Sequence, residues 1–161
     1  MRKITIDGKE YTLKFSVAAT LYNECIEAIL NTFVTETKAT VANDPDNFVA
    51  EVISGISNIP QKALTLFYAG LIEYHGTGKY GDKSVKSIED ARELLSKYIE
   101  ENISEDGKAG VTMRGVFAQM IEIMGEDNFF EIAGLNEMAE SIANSSETPK
   151  KTTRKKKTGA Q

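Results

Sequence analysis

The run Ile4-Thr5-Ile6-Asp7-Gly8-Lys9-Glu10-Tyr11-Thr12-Leu13-Lys14-Phe15 constrains the fold more than any other stretch of this chain. Two short alternating segments flank Asp7-Gly8. Asp-Gly supplies the paired positive backbone dihedrals of a type I′ turn, whose twist matches two antiparallel strands. Ile4, Ile6, Tyr11, Leu13 and Phe15 then form the apolar sets of a β-hairpin. A lone hairpin is marginal in water, so it must pack on something. The helical pattern that follows is the obvious support. With strand residues already at position 4, no leader peptide is expected, and the cytoplasm is the expected compartment.

At 161 residues the chain suits one domain with a real core, plus a tail. No apolar run approaches the ~18 residues of a membrane span, so no membrane role is expected. Cys25, the one cysteine, has no internal disulfide partner and reads as a buried small hydrophobe. The net charge of -5 conceals a split. Residues 143–161 carry Lys150, Lys151, Arg154, Lys155, Lys156 and Lys157 against Glu147 alone, which leaves -10 on residues 1–142. An acidic body repels nucleic acid, so such contact is not expected except through the tail.

Ser16 reads as a cap for one continuous helix bearing Ala18, Leu21, Tyr22, Cys25, Ile26, Ile29 and Phe33. Residues 34–47 are Thr- and Asp-rich and end in Asp44-Pro45-Asp46, which reads as a turn or helix start. Phe48, Val49, Val52, Ile53 and Ile56 make a second stripe. Pro60 fits the first turn of a third helix, which runs to Gly76. Ser87-Ile88-Glu89-Asp90 is a capping-box variant opening a helix to about Asn102. Thr112 opens the next, expected to stop at Gly125, and Asp127 is expected to cap a last helical region interrupted by Gly134. From Ala143 onward no large apolar residue occurs, and disorder is expected. The fold class is therefore α+β, mainly α: an N-terminal hairpin, about six helices over residues 1–142 and a basic tail over 143–161.

Gly76-Thr77-Gly78-Lys79-Tyr80-Gly81 spells G-x-G-x-x-G, but a dinucleotide site needs a strand before the glycines and a helix opening on them. Here a helix precedes, and the next cap is Ser87. Asp82 likewise breaks the P-loop spacing before Lys83-Ser84. The segment reads as a flexible inter-helix loop. His75 is the only histidine, so no soft metal cluster and no Ser-His-Asp set can be assigned. Nothing singles out Glu73, Glu100 or Glu122 as general acids. No catalytic residue, cofactor or metal is expected, and the chain does not read as an enzyme. Met113, Met120, Met124 and Met138 crowd the last third with Phe117, Phe129 and Phe130. Core is the first reading of that set. The alternative is an adaptable docking surface.

Three segments together resemble the tail assembly chaperones of long, non-contractile-tailed (siphovirus-type) phages of Gram-positive bacteria. The opening Ile4–Phe15 is similar to that family's N-terminal hairpin running into a helix. Leu66-Phe67-Tyr68-Ala69-Gly70-Leu71-Ile72-Glu73-Tyr74-His75 resembles its middle helix, followed by a Gly/Asp-rich loop and a Ser-capped acidic helix. Met120–Leu135, with Met124-Gly125-Glu126-Asp127-Asn128-Phe129-Phe130, resembles its C-terminal module. The resemblance spans about residues 3–140 and leaves 34–58 unplaced. It implies a non-catalytic protein that keeps the tape measure protein soluble while tail tube subunits polymerise, and that is absent from the mature virion. The partners implied are the tape measure protein and the tail tube protein; self-association is left open. Docking is then expected at Met120, Met124, Phe129, Phe130 and Met138. Two rival readings stand beside it: an adaptor touching nucleic acid through residues 150–157, and a minor structural tail protein.

Overall fold

In the computed structural model of the chain, the described residues are 1–41, 58–104 and 110–136, with side chains for 1–32, 58–104 and 110–136. Strands β1 (Arg2–Ile6) and β2 (Lys9–Leu13) form an antiparallel pair with Ile6 opposite Lys9 and Ile4 opposite Tyr11. Asp7 and Gly8 take φ of 52° and 69°, the left-handed pair that a type I′ turn demands. One face of the hairpin buries Ile4, Ile6, Tyr11 and Leu13, as the alternation predicts.

Six helices follow among the described residues: α1 (Val17–Thr20), α2 (Asn23–Val41), α3 (Ile59–His75), α4 (Ile88–Glu101), α5 (Met113–Glu126) and α6 (Phe129–Ile132). The chain is thus α+β and mainly α. Ser16 caps α1, accepting from the Ala18 N–H. The expected continuous helix from Ser16 through Phe33 is in fact two, broken at Leu21-Tyr22. A single straight stripe cannot serve both parts, because Ala19 and Cys25 reach the core while Leu21 is 78% exposed. Packing on α3 overrides the local period. Helix α2 also runs on to Val41, through the Thr-rich residues beyond the expected stripe. β-branched threonine costs only about 0.5 kcal/mol per helical position, too little to stop an established helix. The second stripe, Phe48–Ile56, and the tail, 143–161, lie outside the described residues.

Helix α3 is the axle of the fold. It touches α1, α2, α4, α5 and β2. Accordingly it is buried nearly all round, with Ala63, Leu64, Leu66, Phe67, Ala69 and Leu71 in the core. Pro60 lies in its first turn, as expected. Gly70 lies directly against the hairpin and the residues that leave it. A Cβ there would stand 3.2 Å from Leu13 Cδ2 and 3.4 Å from the Phe15 ring, and the Lys14 N–H donates to the Gly70 carbonyl at 2.8 Å. Ser87 and Asp90 form the full reciprocal capping box at α4, and Thr112 caps α5.

Helix α5 does not stop at Gly125 but continues to Glu126. Asp127 does not cap the next helix either. That position is Asn128, in the left-handed region at φ 55°. The Asp127 carboxylate turns instead to the N-terminal segment. Its Oδ2 accepts from the Phe15 N–H at 2.8 Å, and its Oδ1 pairs with the amino group of Met1. Arg2 reaches Glu122 and Glu126 on α5 at 2.9 and 2.7 Å. Gly134, φ 69°, ends the turn after α6.

Candidate functional site

The five residues expected to dock a partner fall in three places. Met120, Met124 and Phe129 are in the core, at 1%, 0% and 0% exposure. Phe130 is half-buried, its ring centroid 6.4 Å from that of Phe129. Met138 lies outside the described residues. The docking expectation is therefore corrected for Met120, Met124 and Phe129. Helix α3 packs against α5, and Phe129 meets Phe15, two residues past β2, edge-on at 5.5 Å. Methionine at helical spacing fills a core and a docking face equally well, so the sequence pattern does not separate the two.

Instead, the described surface offers a shallow apolar groove of about 210 Å³ between the first turn of α3 and α4. Leu64 and Leu95 form its floor and are buried; Ile99 and Met113 are half-buried sides. Pro60, Gln61, Arg92 and Ser96 are exposed on its rim. Helical spacing places Arg92, Ser96 and Ile99 on one face of α4, and the 3–4 residue step is that of a ridge that accepts another helix. Nothing in the local pattern marks this groove, because it arises only where two distant helices meet.

A second constellation also escapes sequence reasoning. His75, Asp82 and Ser84, which the sequence pattern does not single out as a set, meet in the fold. His75 ends α3 and is buried. Its Nε2 accepts from the Thr12 N–H at 2.9 Å, so the neutral ring carries its proton on Nδ1. Asp82 Oδ2 lies 3.1 Å and Ser84 Oγ 3.3 Å from that same Nδ1. A nucleophilic relay needs hydroxyl and carboxylate on opposite ring nitrogens. Here both address one nitrogen, and a backbone amide fills the other. The arrangement is a clasp joining β2, the end of α3 and the following loop. Burial acts to raise the Asp82 carboxyl, but hydrogen bonds from Ser84 and His75 prevail and hold it down, to about 2.

The glycine loop belongs to the same clasp. Asp82, Lys83 and Val85 N–H groups donate to the Tyr74, Gly76 and His75 carbonyls. A Cβ on Gly81 would stand 2.0 Å from the Gly76 carbonyl oxygen. These glycines permit close backbone approach. The loop read as flexible is folded back on α3, and no strand precedes it. Among the described residues no group of three or more His, Cys, Asp or Glu could hold a metal. No helix is long and apolar enough to cross a membrane among those residues. The Cys25 thiol is buried, which pushes it up to about 12.

Comparison of the chain with protein-family models, curated proteins and solved structures finds no match.

Proposed function

We propose that this chain is a non-catalytic tail assembly chaperone of a long, non-contractile-tailed phage. It binds the tape measure protein, holds its amphipathic helices soluble while tail tube subunits assemble, and acts in the host cytoplasm without entering the mature virion. The observation that supports this most is the order of three resembling segments along the chain. They fold as the hairpin β1–β2, the axle helix α3 and the α5–α6 corner, and they pack on one another. The residues of the clasp are spent on structure, which fits a binding protein.

The groove between α3 and α4 is the surface such a role would use. An apolar helix face lays its i, i+3, i+4 side chains into a groove of this kind, and Arg92 on the rim suits a carboxylate flanking that face. Individual contacts would be weak, as a protein that coats a long chain and later leaves it requires.

Co-expression tests this. The tape measure protein of the same genome is expected to be largely insoluble alone and soluble with this chain. Ser96→Arg fills the groove from its exposed rim. It should abolish solubilisation while the melting curve stays that of the wild type. A wild-type chain that neither solubilises nor co-purifies with the tape measure protein sinks the chaperone reading. A folded Ser96→Arg variant that still solubilises it moves the contact elsewhere.

A further inference from the structure

Both ring nitrogens of buried His75 are engaged, and by different parts of the fold. Nε2 holds strand β2 through the Thr12 N–H. Nδ1 holds the loop after α3 through Asp82 and Ser84. A neutral imidazole has one N–H and one acceptor nitrogen, and both are used here. The ring therefore joins β2 to the end of α3 only while it is neutral.

The two sides of the ring respond to a further proton in opposite ways. That proton can enter only at Nε2, where it takes the lone pair that Thr12 uses. The Thr12 N–H and the new Nε2–H would then face each other, two donors with no acceptor between them. On the other side the Asp82 contact gains, because a carboxylate accepting from an imidazolium makes a charge-assisted hydrogen bond. Asp82 is an anion over this change, since its carboxyl titrates at about 2. Other charges nearby come from β2 and α4. Lys9 stands 3.9 Å from Asp82 Oδ2, and the Tyr11 ring lies 5.1 Å from the imidazole. Lys97 and Glu101 of α4 are taken up by Asp7 at the hairpin turn. Among the described residues no charged side chain other than Asp82 bonds the ring.

We propose that His75 is a proton-operated joint: protonation at Nε2 releases the Thr12 amide of β2 from the end of α3, while the imidazolium stays with Asp82. The hairpin remains docked, because the Lys14 N–H keeps the Gly70 carbonyl and Leu13 and Phe15 keep their places against Gly70. What changes is the edge of β2. Its Thr12 N–H is closed by the neutral histidine and left to water by the charged one.

Magnetic resonance of the full chain tests this, titrating over the range in which imidazoles change charge, about pH 8 to about pH 5. Ring nitrogen shifts follow His75. Hydrogen exchange, corrected for the pH dependence of the intrinsic rate, follows the amides. Thr12 protection should fall by about tenfold or more, the scale of losing one hydrogen bond, with the same midpoint as the His75 ring. The Lys14 amide, two residues on, should keep its protection. Asp82→Asn removes the carboxylate that favours the charged ring, so both midpoints should move to lower pH together. The joint is ruled out if His75 stays neutral across the range, if it titrates while Thr12 stays protected, or if Lys14 loses protection alongside Thr12. A folded Asp82→Asn variant that does not move both midpoints together rules it out as well.

Discussion

At Gly8, φ is 69° and an added Cβ would meet nothing within 4 Å. Any cost of substitution is therefore backbone strain alone, and the two kinds of side chain separate cleanly. Gly8→Val should destabilise the fold by about 1–2 kcal/mol, because a β-branched residue resists the left-handed region, whereas Gly8→Asn should cost far less. Urea midpoints of the two variants check this. Asp82 shows another kind of residue, one held both by Ser84, two positions on, and by His75 at the end of the preceding helix. Its carboxyl titrates at about 2 in the fold, below the ordinary value of 3.8. A group depressed in this way contributes stability that is complete above its unfolded value and is lost as pH falls toward its folded one. Asp82→Asn should thus be less stable than wild type at neutral pH, and the gap should close between about pH 4 and pH 2. A gap of constant size over that window would show that the clasp does not hold its charge. Asp7-Gly8 was readable because its turn is written in adjacent residues. The clasp was not, because it joins His75 to Thr12, 63 positions away.

At the scale of elements, local signals succeeded where the chain satisfies itself nearby. Ser87 and Asp90 bond each other's backbones within one turn, and Ser16, Thr112 and Pro60 likewise act within their own first turns. They failed where a distant element competes for the same group. Asp127 has the chemistry of a cap, but its carboxylate is claimed by the Phe15 N–H, 112 residues earlier. The α5–α6 corner consequently depends on the segment leaving the hairpin. Asp127→Ala leaves that amide without its acceptor at a part-buried site, which should cost about 1–3 kcal/mol. The loss should come with faster exchange of the Phe15 amide. Ser87→Ala, by contrast, should cost about 1 kcal/mol and leave the hairpin amides protected, since its bonds stay within α4.

Across the whole molecule the apolar residues divide between an axle and a rim. Helix α3 is enclosed by α1, α2, α4, α5 and β2, and the Met120, Met124 and Phe129 side chains complete that enclosure from α5 and α6. A periodic apolar stripe says only that a helix face is covered. What covers it, the same chain or another, follows from the count of faces that α3 must bury, and that is settled only by the assembled fold. The groove at Leu64, Leu95, Ile99 and Met113 is what this enclosure leaves open. Core and groove therefore respond differently to substitution. Met124→Ala removes a fully buried side chain and should destabilise the protein by about 2–5 kcal/mol, the lost transfer energy plus that of the cavity left behind. Any loss of tape measure solubilisation in this variant should track its loss of folded protein and recover at lower temperature. Ser96→Arg should do the opposite, sparing the melting curve and losing solubilisation at every temperature at which the chain is folded. Measuring both properties for both variants over one temperature series decides the matter. If Met124→Ala stays as stable as wild type yet no longer solubilises, the methionine corner is a docking face after all, and the α3–α4 groove gives up that role.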